Sequence, residues 1–452
     1  EHGKKIAQAA EAAGKEPKEF VDHIAPKFEA AWTSLGIKPD RFIRTTDKDH
    51  QKLVQDMLEK VNKSGDIYLG EYEGLYCTSC EQYYTENDVC SPQRGAAQQG
   101  EQAHSNSESD TDLLCPVHNK PLEHLKELSY FFKLSKYQDF LLKLYKDHPE
   151  FVLPKERRNE VISRVKEGLN DLSISRTNFD WGVPVPFDKD HVTYVWFDAL
   201  FNYYTPTLQK GNKKYWPTDL HVLGKDNTWF HCVYWPAFLK AAGLPLPKTV
   251  FNHGFLTFNG QKISKSLGNS ISPTTLVEKY GADTIRYFCS RQFPFATGED
   301  GDFSEKALKD RHNNELADKL GNLVSRVSTL IEKYGFENQK QTNLNSEATI
   351  KNTEKLLENY ELDKALNEIF AYIDLTNAYL QTKKPWATKD KKILGEAANA
   401  IKDTAILLSP FIPEAAEKIA KAFHFKLDKA QLNKPLDTKK KIKKAPILFQ
   451  KL

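Results

Sequence analysis

The sequence predicts a mixed α/β fold, in which a parallel sheet is interrupted by a small cysteine-bearing insert and followed by an all-helical region. Three observations carry this. Helical patterns alternate with short β-rich apolar runs as far as about residue 310, paired cysteines cluster in one early segment, and beyond Asp310 only helical periodicity remains. Helices alternating with strands imply parallel pairing, and amphipathic helices on short loops imply a bundle.

The first helix with a clear apolar stripe runs from Phe20 to Leu35, with Ile24, Phe28, Ala31 and Trp32 on the 3.6-residue period. Phe42–Thr45 and Ile67–Leu69 read as strands. An insert from Gly70 to Leu128 follows, and within it Ser91–Asp112 is a polar stretch with almost nothing to bury, expected to be a disordered loop. The α/β pattern then resumes with β-rich runs at Val192–Phe197, Leu220–Leu223 and Thr249–Phe251. Ligands of open parallel sheets bind beyond the carboxyl ends of the strands, which singles out Gly224-Lys225-Asp226 and Asn252-His253-Gly254. In the last region Leu316, Leu320, Leu323, Val324, Val327, Leu330 and Ile331 form one helical stripe, and Leu356, Leu357, Tyr360, Ala365, Ile369, Phe370 and Ile373 a second. The run Lys439-Lys440-Lys441-Ile442-Lys443-Lys444 reads as a solvated face.

Composition narrows the class. With 452 residues, 40% hydrophobic and 28% charged, the chain is long enough for two or three domains, each with its own core. No apolar run approaches the about 18 residues that a membrane span needs. A formal net charge of +3 does not by itself argue for nucleic acid. Six cysteines in so long a chain, four of them clustered between Cys77 and Cys115, point to metal or to reduced thiols in a cytosol, not to a disulfide scaffold. The chain opens on Glu1 in a charged stretch, which suggests a fragment or processed product.

Cys77-x-x-Cys80 and Cys115-x-x-His118 supply three thiols and an imidazole from two tight turns, the donor set of a closed tetrahedral zinc site. All four positions come from protein, so the expected role is structural: holding an insert too poor in apolar residues to fold alone. The long spacer between the pairs is tolerable because loop-closure cost grows only logarithmically. Cys90, between the pairs, is the alternative to Cys115.

The run Lys262-Ile263-Ser264-Lys265-Ser266-Leu267-Gly268-Asn269 is a cationic loop, with two lysines three apart, between a strand-like His253-Gly254-Phe255-Leu256 and a helix start at Ser272-Pro273. It suits charge developing on phosphoryl oxygens as pyrophosphate leaves.

Lys262–Ser266 resembles the KMSKS signature of class I aminoacyl-tRNA synthetases, with Ile263 for the usual methionine. Further stretches narrow the resemblance to the methionyl-tRNA synthetase family. They are Ser175-Arg176-Thr177 with Asp180-Trp181-Gly182, Val195-Trp196-Phe197-Asp198-Ala199-Leu200, Gly224-Lys225-Asp226 with Phe230-His231, and Tyr234-Trp235-Pro236-Ala237-Phe238. The resemblance covers essentially the whole chain, in order, and implies a Rossmann-like parallel sheet whose first strand is missing. It divides the chain into a truncated first half of the catalytic domain (1–69), a connective insertion with the zinc knuckle (70–170), the second catalytic half (171–255), a KMSKS-loop and stem-contact region (256–310) and an anticodon-binding helical bundle (311–452).

The resemblance also implies roles. Trp196, Ala199, Tyr203 and His231 match positions around the methionine side chain, where a polarizable thioether gains from aromatic contact. Gly224 and Asp226, with His253, match the ATP and adenylate site. Lys265, assisted by Lys262, would stabilise the transition state, with Arg176 as a further catalytic residue. Asn322, Arg326, Pro385 and Trp386 match anticodon-reading positions, where an aromatic and an arginine can stack on unpaired bases. The implied reaction is ATP-dependent attachment of methionine to tRNA(Met) through methionyl adenylate, with Mg²⁺ accompanying ATP and Zn²⁺ structural, in the cytoplasm and away from membranes. Relatives begin with an apolar strand and a His-x-Gly-His motif that this sequence lacks, so the chain alone is expected to adenylate poorly. A non-catalytic tRNA-binding relative, or one part of a split synthetase, is the alternative. The branched-chain synthetases are disfavoured by the small insert, since discriminating one methylene by only ~1–3 kcal/mol calls for a large editing domain.

Overall fold

The computed structural model describes residues 1–78, 82–84, 113–115, 121–263, 272–338 and 343–452. They form two compact units: Glu1–Glu29 with Pro39–Asn252, and Ala30–Lys38 with His253–Leu452.

The first unit opens with helices α1 (Lys4–Ala12), α2 (Pro17–Ser34, whose last residues belong to the second unit) and α3 (Lys48–Lys63). Helix α3 buries His50, Leu53, Val54, Leu58 and Val61, one face at 3–4-residue spacing. Helix α2 forms as its periodicity predicts, yet Phe28 is 58% and Trp32 40% exposed, so its stripe is not a core face. Strands β1 (Ile67–Cys77), β2 (Gln82–Tyr84) and β3 (Glu123–Phe132) follow, then α4 (Gln138–Asp147), β4 (Val152–Leu153), α5 (Lys155–Lys166), β5 (Leu172–Ser173), β6 (Ser175–Arg176), β7 (Pro184–Val185) and β8 (Asp188–Thr193). Helix α6 (Val195–Leu200), β9 (Leu220–Gly224), α7 (Trp235–Ala241) and β10 (Thr249–His253) complete the unit.

The central sheet has the order β4-β10-β9, with β10 parallel to β4 through Val250↔Val152 and Phe251↔Leu153. A core of Leu53, Phe132, Tyr145, Phe197, Phe201, Trp235, Phe238 and their neighbours packs the unit. Three expectations are corrected here. Ile67–Leu69 is a strand, but it starts a long antiparallel pair, from Ile67↔Phe132 to Tyr76↔Glu123, and is not part of the parallel sheet. An antiparallel ribbon can stand partly in solvent, and the consecutive Tyr68 and Leu69, on its two faces, are both exposed. Phe42–Thr45 is not a strand. Asp47 captures the backbone N–H of Arg44 at 3.2 Å, and the N–H of Asp47 returns to Arg44 O at 3.0 Å, so local side-chain bonding turns the chain into α3. Val192–Phe197 divides between the end of β8 and the start of α6, because Phe197 and Phe201, one turn apart, are buried on the same side.

The second unit starts from the last residue of β10 and adds β11 (Leu256–Phe258), β12 (Gln261–Lys262), α8 (Pro273–Tyr280), α9 (Ala282–Gln292) and β13 (Gly301–Phe303). Its small sheet has the order β12-β11-β13, an antiparallel hairpin plus one parallel pairing. Helix α10 (Glu305–Arg311) runs through a π-helical stretch (His312–Gly321) into α11 (Asn322–Tyr334). The bundle continues with α12 (Glu347–Glu358), α13 (Leu362–Lys383), α14 (Pro385–Thr388), α15 (Lys391–Leu408) and α16 (Pro413–Phe423). Both apolar stripes point into one core. The second belongs to two helices and not one, since Tyr360 adopts φ 61 between α12 and α13. Helix α15 is buried from Ile393 to Leu408 and forms the centre of the bundle.

Candidate functional site

Strand β9 delivers its carboxyl end at Gly224, and the next turn, Lys225–Asn227, carries Asp226 exposed at the sheet edge. Thr228 fastens this turn: its hydroxyl lies 2.8 Å from Lys225 O and 2.9 Å from the buried Asn252 Oδ1. Asn252 Nδ2 in turn donates to Leu153 O at 2.9 Å, so the tips of β4 and β10 and the turn are one hydrogen-bonded unit.

The chain then enters a π-helical turn, Phe230–Tyr234, of the kind that recurs at functional sites. His231 Nδ1 donates to Asn227 O at 2.9 Å, which leaves Nε2 to accept from the Tyr203 hydroxyl at 2.7 Å. The wall is completed by Trp196, stacked on Phe230 with centroids 3.8 Å apart and edge-on to His231 at 6.1 Å. Ala199, three residues on from Trp196, is half-buried on the same side of α6. His221 lies against Tyr203, centroids 4.1 Å apart, and accepts from Trp235 Nε1 at 3.2 Å.

Burial sets the charge of this wall. It pushes His231 down to about 4, partly opposed by the Asn227 carbonyl and Asp226, and it pushes His221 down to about 3, with His231 adding to the effect. Burial raises the Tyr203 phenol to about 12. Near neutral pH the pocket is therefore aromatic and uncharged, while Asp226 sits close enough to act on His231. Such a lining is suited to a polarizable apolar side chain. The structure thus brings Trp196, Tyr203 and His231 together, and ties them through Asn227 to the Gly224–Asp226 turn.

The remaining expected residues belong to other elements. Arg176 on β6 is 2% exposed; its guanidinium donates to Ser173 Oγ (2.7 Å) and Ser175 O (2.6 Å) and covers the Tyr194 ring at 4.6 Å. In the second unit His253 stacks on Phe295 at 5.6 Å and its Nδ1 meets Gly254 O at 2.8 Å. Lys262 pairs with Thr257 in the β11–β12 hairpin, and Lys265 lies outside the described residues. Asn322 is exposed at the start of α11, with Asp318 Oδ1 3.5 Å from its amide, and Arg326 one turn on is half-buried with Nη1 unbonded. Pro385 is buried at the start of α14 beside Trp386, which is 38% exposed. Cys77 and Cys115 are both buried and share one small cluster with Leu75 and Leu122. Cys80, His118 and Cys90 lie outside the described residues. Among the described residues no group of three or more potential ligands forms a metal site.

Sequence reasoning missed Phe230 and His221 as parts of the wall, and it missed His2 and His50 altogether. His221 stands at alternate spacing in β9, a signal that it shares a face with Leu223, but nothing local shows that this face turns towards Tyr203.

An open parallel sheet whose edge turn is hydrogen-bonded to an aromatic pocket is the plan of a nucleotide-handling α/β protein. Comparison with known proteins makes this specific. Residues 1–328 match the family described as class I tRNA synthetases (M), and residues 344–449 match the anticodon-binding domain of tRNA ligases. The methionine–tRNA ligase of Thermotoga maritima is 41% identical over 448 residues, covering 94% of this chain and 68% of that protein. The Nostoc enzyme is 40% identical, over 94% of this chain and 81% of its own length. Mycobacterium tuberculosis methionyl-tRNA synthetase bound by methionyl-adenylate superposes with a TM-score of 0.90 at 35% identity, over 100% of this chain and 90% of that one. The apo form of the same protein gives 0.82 at 33%, over 96% and 88%. The chain belongs to the methionyl-tRNA synthetase family, of class I.

Proposed function

We infer that this protein attaches methionine to tRNA(Met) in an ATP-dependent reaction through a methionyl-adenylate intermediate. Methionine, ATP and tRNA(Met) are its substrates. The observation that carries the reading is the pair of bonds Tyr203–His231–Asn227, which joins the uncharged aromatic pocket to the sheet-edge turn bearing Asp226. A side chain held by the first and a ribose held by the second would meet at the carboxyl edge of β9.

The roles follow from chemistry. Trp196, Ala199, Tyr203 and His231 would enclose the thioether. Gly224 lets the ribose approach the backbone, and Asp226 would accept its hydroxyls. The methionine carboxylate attacks the α-phosphorus of ATP, and the bond to pyrophosphate breaks. Lys265, aided by Lys262, would neutralise the charge that builds on the departing oxygens, and His253 would border the phosphates. Arg176, held by Ser173 and Ser175, would brace the floor of the site. Asn322, Arg326, Pro385 and Trp386 would read the anticodon, the exposed indole offering a stacking surface.

The insert supports a structural zinc site to the extent that Cys77, closing β1, and Cys115 pack in one buried cluster although they are distant in sequence. Cys80 and His118 would complete the donor set, and a bound zinc would supply a cross-link between the two turns.

The test is ATP–pyrophosphate exchange by the protein made from its whole reading frame, with methionine, leucine, isoleucine and cysteine in turn. Only methionine should sustain exchange, and K265A should lower it by about 10²-fold. Equal exchange with leucine or isoleucine would overturn the reading.

A further inference from the structure

A polar cluster lies buried behind the pocket wall. Asp198 on α6 has no exposed surface; its Oδ2 accepts from His2 Nδ1 at 2.6 Å and its Oδ1 from His50 Nε2 at 2.8 Å. His50 Nδ1 reaches Thr205 Oγ1 at 2.7 Å, and Thr205 lies 3.0 Å from Phe201 O, just beyond α6. Both histidines are almost wholly buried. His2 is itself held in place. Gly3 N donates to Trp181 O at 3.1 Å, Trp181 Nε1 to Glu1 O at 2.8 Å, and the Glu1 carboxylate accepts from Arg44 and Thr46. One carboxylate on α6 is thus gripped from two directions, by the first residues of the chain and by α3.

The position of Asp198 on its helix gives this grip a consequence. At about 100° per residue, Asp198 projects roughly opposite Trp196, while Ala199 stays within about 60° of it. Helix α6 has only six residues, too few to hold its shape unaided, so its orientation is fixed by what lies behind it. The apolar anchors Phe197 and Phe201 pack against other rings over a broad range of angles; hydrogen bonds to a carboxylate are more sharply directional. A buried ionic cluster is also a poor way to gain stability compared with apolar side chains, and its best attested use is to specify geometry. Burial pushes the Asp198 carboxyl up, yet His2 and His50 outweigh this and hold it below the usual range, so Asp198 stays a carboxylate, able to accept both bonds, near neutral pH.

We propose that Asp198, clamped by His2 and His50, is a positioning residue for methionine, fixing the rotation of α6 and so the spacing between the Trp196–Ala199 face and the Tyr203–His231 pair. The proposal rests on the reading of this pocket as the methionine site. The effect falls mainly on one substrate: the Gly224–Asp226 turn is held to β4 and β10 by bonds in which α6 takes no part, and meets the pocket only through Asn227.

Calorimetric titration of the chain with methionine and, separately, with ATP decides it. In D198N the amide presents N–H to an imidazole N–H, and the clamp loosens with little change in volume. The methionine Kd should rise about tenfold or more at a stoichiometry near one, with the ATP Kd within about twofold of wild type. H50Q should shift methionine in the same direction, and it carries the decision if D198N folds poorly. A merely structural role would lower the stoichiometry and leave both Kd values unchanged. That result, or equal weakening of both ligands, overturns the clamp while the pocket reading stands. Failure of the wild-type chain to bind methionine overturns the pocket reading and the clamp with it.

Discussion

At the scale of single residues, burial keeps two imidazoles of the aromatic wall uncharged near neutral pH. His221 and His231 have folded-state values of about 3 and about 4, below the ordinary 6.5, because burial disfavours their charged forms. The unfolded chain therefore binds more protons than the folded one between about pH 6.5 and 4. Stability is fully present above 6.5 and is lost as pH falls through that window. Denaturant midpoints measured from pH 7.5 to 4.5 should be flat above 6.5 and decline below it, with H231Q removing part of the decline. A midpoint unchanged down to pH 5 would mean that these rings are not buried as described. That Trp196 and His231 belong together could be read in sequence because flanking motifs were distinctive. The Tyr203–His231 bond and the stacking of Phe230 could not, since they depend on the π-helical turn that re-aims residues after Trp229.

At the scale of elements, propensity succeeded where packing agreed with it and failed where packing overrode it. The stripes of α11 and α13 were legible because both faces are buried. Val195–Phe197 looked like strand because β-branched and aromatic residues favour sheets, but burial of Phe197 with Phe201 demands helical spacing. The pairing of β1 with β3 was hidden by the stretch between them. Gly395 gives a sharp element-level prediction. Gly→Ala inside a helix normally stabilises by roughly 0.5–1 kcal/mol. Here a Cβ would lie 2.0 Å from Glu337 O, against backbone that cannot yield cheaply, so G395A should instead destabilise by about 2 kcal/mol or more and lower Tm. A raised Tm would show that Glu337 does not approach α15. The insert gives another prediction. Protein expressed with zinc supplementation should carry one zinc per chain by atomic emission, and C77S and C115S should each abolish it. Wild-type protein without zinc, or full occupancy in both variants, would refute the cross-link.

At the scale of the molecule, the α/β region followed by a helical bundle was legible from the change in periodicity near Asp310. The division into two compact units was not, because Ala30–Lys38 joins the second unit from within the first. Sequence alone cannot reveal a contact made across more than two hundred residues. We propose that the uncharged aromatic pocket and the Asp226 turn together recognise an aminoacyl adenylate by its thioether side chain. It is tested most directly by titrating the chain with the non-hydrolysable methionyl-sulfamoyl adenosine and with its isoleucyl counterpart. The methionyl compound should bind on the order of 10²-fold more tightly, and W196A should erase most of that preference. Equal affinity for the two compounds, or an unchanged preference in W196A, would contradict the account.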